Sequence, residues 1–115
     1  MAAKKTEVIR PTKKTEYLIV FATRQAEVGW RDLRGTTLNS LVDAWDALTD
    51  NPIRNDSTCH PLKGDLATIS VAGTLHVRRQ YELPGGARIW YYVTEGRPGT
   101  VHLFDVHTRH PNQTK

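Results

Sequence analysis

The chain has 115 residues, 38% of them hydrophobic and 24% charged, with a formal net charge of +4. That length fills one domain with a modest core, and the lone cysteine, Cys59, excludes an intrachain disulfide and points to a reducing compartment. The N-terminal MAAKKTEVIRP lacks an apolar leader and the longest apolar run, Tyr17 to Ala22, is too short to span a bilayer, so a cytoplasmic protein with no membrane segment is expected.

Residues 1–16 are rich in Lys and Thr and nearly free of apolar side chains, which predicts a flexible basic tail ahead of a domain at 17–115. Tyr17–Ala22 (YLIVFA) is short, apolar and partly β-branched, the composition of a buried strand. Thr23 then offers an N-cap for a helix carrying Ala26, Trp30 and Leu33 on one stripe, with Gly35 as its stop. Thr36 or Thr37 caps a second helix whose stripe is Leu38, Leu41, Val42, Trp45 and Leu48, ended by Asn51-Pro52. A connection of about two residues makes the pair an antiparallel hairpin, with both tryptophans assigned to core packing.

Gly64 marks a tight turn, and LATISVA at 66–72 reads equally as a strand or an ordered loop. From Thr74 the residues alternate. Leu75, Val77, Tyr81 and Leu83 share one parity; His76, Arg78, Gln80 and Glu82 share the other. A turn at Pro84-Gly85-Gly86 sets Arg88 across from Glu82. Arg88, Trp90 and Tyr92 then join the polar face, while Ile89, Tyr91 and Val93 face the helices. In the last run Phe104 and Val106 are expected inward, with Asp105, His107 and Arg109 outward. Arg79 falls on the apolar parity, which requires snorkelling, a bulge or a register one residue off.

Charge is unevenly spread: +3 over residues 1–16, −2 over 17–59 and +3 over 60–115, which favours a polyanionic partner on the sheet side. No Gly-rich phosphate loop, nucleophile elbow or zinc knuckle is present. Cys59-His60 and His107-x-x-His110 match no standard metal spacing, so no metal or other cofactor is expected. Cations, imidazoles and flat rings on one sheet face suit attack of a ribose 2′-hydroxyl on its own 3′-phosphate. Arg88 would grip the phosphate through its two-pronged guanidinium, and His107 or His110 would act as the acid. Glu82 has two readings, as the base or as a simple ion-pair partner of Arg88.

The helical hairpin ending in Asn51-Pro52, then Pro61-Leu62-Lys63-Gly64, then GARIWYYV at Gly86–Val93, then VHTRHP at Val106–Pro111, resembles the RelE/ParE superfamily of bacterial type II toxins over roughly Tyr17 to Pro111. The resemblance implies an α+β fold: an N-terminal strand and an antiparallel two-helix hairpin packed on a twisted antiparallel sheet of about four strands. It implies an mRNA interferase, a metal-independent endoribonuclease acting at the ribosomal A site, and a cognate antitoxin protein as partner. By matching position, Arg88 resembles the family's phosphate-stabilising arginine. Arg109 resembles the basic residue ending the last strand, where some members have an acid-acting arginine and others a histidine, so the resemblance leaves the catalytic acid open among Arg109, His107 and His110; Arg78, Arg79, Lys63, Trp90 and Tyr92 are the expected RNA contacts. The strand-two lysine pair of RelE is replaced by arginines, and its C-terminal tyrosine has no match. Two other readings stay open, a ParE-like gyrase-inhibiting toxin without ribonuclease activity and a non-catalytic RNA-binding module.

Overall fold

The computed structural model describes residues 6–109. Strand β1 (Leu18–Phe21) leads into helices α1 (Arg24–Thr36) and α2 (Leu38–Asp50), followed by β2 (Cys59–Pro61), β3 (Thr68–Val71), β4 (Thr74–Val77), β5 (Arg79–Glu82), β6 (Arg88–Thr94) and β7 (Thr100–His107). Residues 6–16 hold no regular element. The fold is α+β: two helices, a mixed five-stranded sheet in the order β1-β7-β6-β5-β2, and a separate two-stranded β3-β4 sheet. No helix among the described residues is long and apolar enough to cross a membrane.

Two expectations about the sheet change. It has five strands rather than about four, and β1 runs parallel to β7, so it is not purely antiparallel. Pairing direction is set by how the last strand of the chain returns beside β1, which a run of apolar residues does not encode. The stretch from Thr74 to Glu82 also divides at Arg78: β4 pairs with β3, and only β5 joins the main sheet. Leu75 and Val77 consequently point to solvent on the outside of the small hairpin instead of towards the helices.

The helices cover one face of the sheet. Thr23 caps α1 by accepting from the Ala26 N–H at 3.1 Å. Helix α1 runs through Gly35, and a single residue, Thr37, joins it to α2. The core beneath holds Ala26, Leu33, Leu41, Leu48, Ile89, Tyr91, Val101, Leu103 and Val106. Trp30 packs against it, and its ring meets Trp45 edge-on at 6.2 Å. Trp45 itself remains 38% exposed, so it is a rim residue rather than core.

Strand β1 is shorter than β7 and pairs only with Thr100–Leu103. Helix α1 satisfies the rest of that edge: the Thr23 hydroxyl donates to the Phe104 carbonyl at 2.6 Å, and the Gln25 amide exchanges two hydrogen bonds, of 2.8 and 2.9 Å, with the Val106 backbone. Gly29 lets the helix come this close. A Cβ there would lie 2.3 Å from the Val106 carbonyl oxygen.

Candidate functional site

The face of the sheet away from the helices follows from the pairing register. Glu82 on β5 lies across from Arg88 on β6, which lies across from His107 on β7. The next row is His60 on β2, Gln80 on β5, Trp90 on β6 and Asp105 on β7. A third aligns Tyr92, His102 and Val20 across β6, β7 and β1. A β-bulge opposite Trp90/Tyr91 makes Phe104 the extra residue of β7, so Leu103 and Val106 point to the helices while Phe104, Asp105 and His107 point outward. The inward assignment of Phe104 is thereby corrected.

The third row is roofed. Leu62, Leu66, Ile69 and Val71 pack on Trp90, Tyr92 and Phe104, forming a second small core under the β3-β4 hairpin. His76 of β4 stacks on Tyr92 at 4.6 Å, and Tyr92 stacks on His102 at 4.5 Å with the rings within 3° of parallel. His102 Nε2 meets the Thr94 hydroxyl at 2.9 Å. Burial, together with His76 nearby, holds His102 below the ordinary histidine pKa.

This packing decides the fate of the expected ring contacts. Trp90 is 2% exposed and Tyr92 5% exposed, and the Trp90 indole N–H donates to the Gln80 side-chain carbonyl at 2.9 Å. Neither presents a free face for a nucleobase; both are scaffold, because their flanks are filled by His76, His102 and the Arg78 guanidinium. Arg78 lies 5.0 Å over the Phe104 ring and 5.9 Å over Trp90.

Arg79 is likewise corrected. It sits on the helix side, 6% exposed, with the register as read and no bulge at its position. Its guanidinium donates to the Pro52 carbonyl at 2.9 Å, to the Arg54 carbonyl, to Asn55 Oδ1 at 3.2 Å and to the Tyr91 hydroxyl at 3.3 Å. An arginine on an apolar parity is tolerated because loop carbonyls after α2 surround it. It clamps that loop and cannot reach a ligand on the other face. Cys59 belongs to the same knot, its sulfur 3.0 Å from the Tyr91 hydroxyl, and burial first among several causes drives the Tyr91 pKa upward. Strand alternation puts Cys59 and His60 on opposite faces, and no group of three or more His, Cys, Asp or Glu side chains among the described residues is arranged to hold a metal ion.

The rows left open bring together Glu82, Arg88, Asp105 and His107. Arg88 is 8% exposed; it pairs with Glu82 at 3.2 Å and donates to the Ala87 carbonyl, while its Nε has no hydrogen-bond partner among the described residues. Arg78 Nε and His107 Nε2 are buried without partners in the same sense. The His107 ring stands edge-on to Trp90 at 4.5 Å. Burial pushes His107 below the ordinary histidine range, with Asp105 pulling it back, and burial raises Asp105 above the ordinary carboxylate range against the pull of His107 and Arg78. Lys63 and Arg109 are exposed, Lys63 preceding the Gly64 turn and Arg109 lying just past β7; His110 lies outside the described residues.

Such a surface offers an oxyanion the Arg88 guanidinium in exchange for its ion pair with Glu82, beside a carboxylate and an imidazole able to move protons. Gln80, His102 and Asp105 carry parts of it that the sequence reading gave no role, although alternation already put Asp105 and His107 on one face. No protein-family model, no curated protein and no solved structure matches the chain.

Proposed function

We propose that the protein is the toxin of a type II toxin–antitoxin pair, a RelE-like mRNA interferase that cleaves mRNA at the ribosomal A site. The observation that carries this reading is the row Glu82–Arg88–His107 across three neighbouring strands, with Arg78 fixed close by on aromatic rings. Two helices on one face of a mixed sheet, with the N-terminal strand at its edge, are compatible with the fold that the sequence resembles.

The reaction follows from the row. A scissile phosphate arriving at Arg88 competes with Glu82 for the guanidinium. The displaced carboxylate takes the proton of the ribose 2′-hydroxyl, and O2′ attacks the adjacent phosphorus. Arg88 and Arg78 carry the added negative charge of the phosphorane. As the bond to O5′ breaks, the leaving oxygen takes a proton from His107. Because Nε2 is buried against Trp90, that transfer runs through Nδ1. The products are a 2′,3′-cyclic phosphate and a 5′-hydroxyl. Arg109 and Lys63, both exposed, add sequence-independent phosphate attraction on the approach. The cognate antitoxin silences the site.

The test is induction of the full chain followed by primer extension on cellular transcripts, with Arg88→Lys as the matched variant. Lysine keeps the charge and loses the fork, so cleavage should fall by roughly 100-fold or more. Intact transcripts with unimpaired translation would remove the nuclease reading, and gyrase-dependent DNA damage in the same cells would favour the gyrase-directed alternative.

A further inference from the structure

A cavity of about 380 Å³ lies at the end of β5, in the corner between α2 and the loop entering β2. Strand β2 pairs with β5 only as far as Cys59 and Tyr81; the Glu82 N–H then donates to the Thr58 carbonyl at 2.8 Å, and beyond it β2 no longer covers the edge. Tyr81 and Leu83, one strand period apart, face the helices and give the cavity an apolar floor that Pro84 continues. Ser40 and Asp43, three residues apart on one face of α2, bring a hydroxyl and a carboxylate, and Thr58 brings a second hydroxyl. Apolar walls with a few polar groups that fix orientation are the make-up of a small-ligand site.

Charge narrows what the cavity can take. Its lining carries two carboxylates, Asp43 and Glu82, and no Lys or Arg, so a phosphate has nothing there to hold it. The Arg54 guanidinium, over the Tyr81 ring at 5.8 Å, is paired with Asp56 at 2.9 Å. Glu82 is engaged by Arg88 at 3.2 Å, which leaves Asp43, exposed on α2, as the carboxylate to meet a ligand. Its two oxygens only accept, so they select a flat group with two adjacent N–H donors. Of the four RNA bases only guanine carries such a pair on its Watson–Crick edge, N1–H and the 2-amino group. Adenine and cytosine would set a ring-nitrogen lone pair against one carboxylate oxygen, and uracil a carbonyl. A guanidinium side chain shares the donor pair, but position favours a base. Glu82 borders the cavity and also faces Arg88 across the β5–β6 hairpin, so a phosphate held at Arg88 brings its own nucleoside to the cavity mouth.

We propose that this cavity is a base pocket selective for guanine, in a nucleotide next to the scissile phosphate, with Asp43 accepting from N1–H and the 2-amino group. The base packs against Leu83 and Pro84, and the hydroxyls of Ser40 and Thr58, which both donate and accept, meet the rest of its polar edge. Placement beside a cleaved phosphate rests on the nuclease reading; the preference of the pocket for guanine does not. The charge pattern then divides the RNA. Phosphates lie along Arg88 and Arg78, and one neutral base turns round the end of β5 towards α2.

The experiment titrates the isotopically labelled full chain with guanosine, adenosine, cytidine and uridine and follows the backbone amide signals. Guanosine should shift those of Ser40, Asp43, Thr58 and Tyr81 saturably, and the other three nucleosides should bind roughly tenfold or more weakly, as expected for paired hydrogen bonds to a charged acceptor. Asp43→Asn puts one donor and one acceptor where two acceptors stood. Guanosine should then weaken by roughly tenfold or more, while adenosine, whose 6-amino group and N1 match the new pair, should gain. Asp50→Asn removes the same charge from α2 away from the cavity and should change nothing. Equal shifts from all four nucleosides, or none at the cavity, overturn the proposal even where the chain cleaves RNA. Saturable binding of N-acetylarginine amide without guanosine binding also overturns it and assigns the cavity to a protein side chain. Guanosine binding that depends on Asp43, in a chain that cleaves nothing, upholds the pocket and removes the nuclease reading. If Asp43→Asn does not fold, the wild-type ranking of the four nucleosides decides alone.

Discussion

Replacing Gly29 with alanine sets helix propensity against packing, and the distances decide which wins. Inside a helix alanine is favoured over glycine by about 1 kcal/mol. At Gly29 the new Cβ would lie 2.3 Å from the Val106 carbonyl oxygen and 2.8 Å from Val106 Cβ, where ordinary contact begins at 3.4 Å. Helix α1 would have to withdraw from β7 by about 1 Å, an overpacking cost of about 1–3 kcal/mol. The same movement stretches the two hydrogen bonds between Gln25 and Val106, each worth about 1 kcal/mol. The net expectation is a loss of about 2–4 kcal/mol, or a drop in Tm on the order of 10–20 °C for a chain of this size. Gly35 is the internal control. It lies in the last turn of the same helix with nothing within 4 Å of its would-be Cβ. Gly35→Ala should therefore stabilise the protein by about 0.5 kcal/mol. Urea unfolding followed by tryptophan fluorescence and by circular dichroism measures both. If Gly29→Ala proves as stable as the wild type, the close approach of α1 to β7 is wrong, and so is the account of how the backbone between Asp105 and His107 is held.

Arg79→Met should lower stability by about 3 kcal/mol, because loop carbonyls after α2 lose a charged donor in a buried site, seen as a lower urea midpoint; weakened RNA binding at unchanged stability would instead make Arg79 a ligand contact. Stability should fall on acidification. His102 and His107 have folded pKa values below the ordinary 6.5, so from about that pH downward the unfolded chain binds more protons and unfolding is favoured until the folded groups also titrate. The raised Asp105 acts oppositely at lower pH, where the folded state holds the extra proton above the ordinary 3.8. Urea midpoints between pH 8 and 5 test this, and a double His102→Gln, His107→Gln variant should flatten the slope; an equal slope in that variant would assign the effect elsewhere.

Much of the fold was legible because it rests on local rules. The cap at Thr23, the existence and order of both helices, the turn after Leu83 and the opposition of Glu82 and Arg88 follow from residue type and spacing, although α1 runs past the expected stop at Gly35 to Thr36 and Leu38 and Val42 of α2 stay exposed. The alternation along β6 also held: Ile89 and Tyr91 are buried beneath the helices while Trp90 and Tyr92 pack on the opposite side. What escaped the reading is non-local. Nothing in YLIVFA says that its strand runs parallel to β7, and nothing in the alternation of TLHVRRQYE across Thr74–Glu82 says that β4 leaves the main sheet to roof it. One inserted residue at the bulge turned Phe104 outward, since alternation has a period of two and a single extra residue reverses every later assignment unless a bulge absorbs it.

The candidate site divides the same way. Sequence alone determined which strand positions hold Arg88, His107 and Asp105 and that they share a face, because side-chain direction along a strand is a local property. Only the tertiary structure decided which of those groups are free to act. It spent Arg79 on the Pro52 loop, enclosed Trp90 and Tyr92 beneath a hairpin, paired Glu82 with Arg88, and left Asp105 and His107 half-buried on one face of β7. Availability depends on what packs against a side chain from distant parts of the chain, and on the desolvation that this packing imposes.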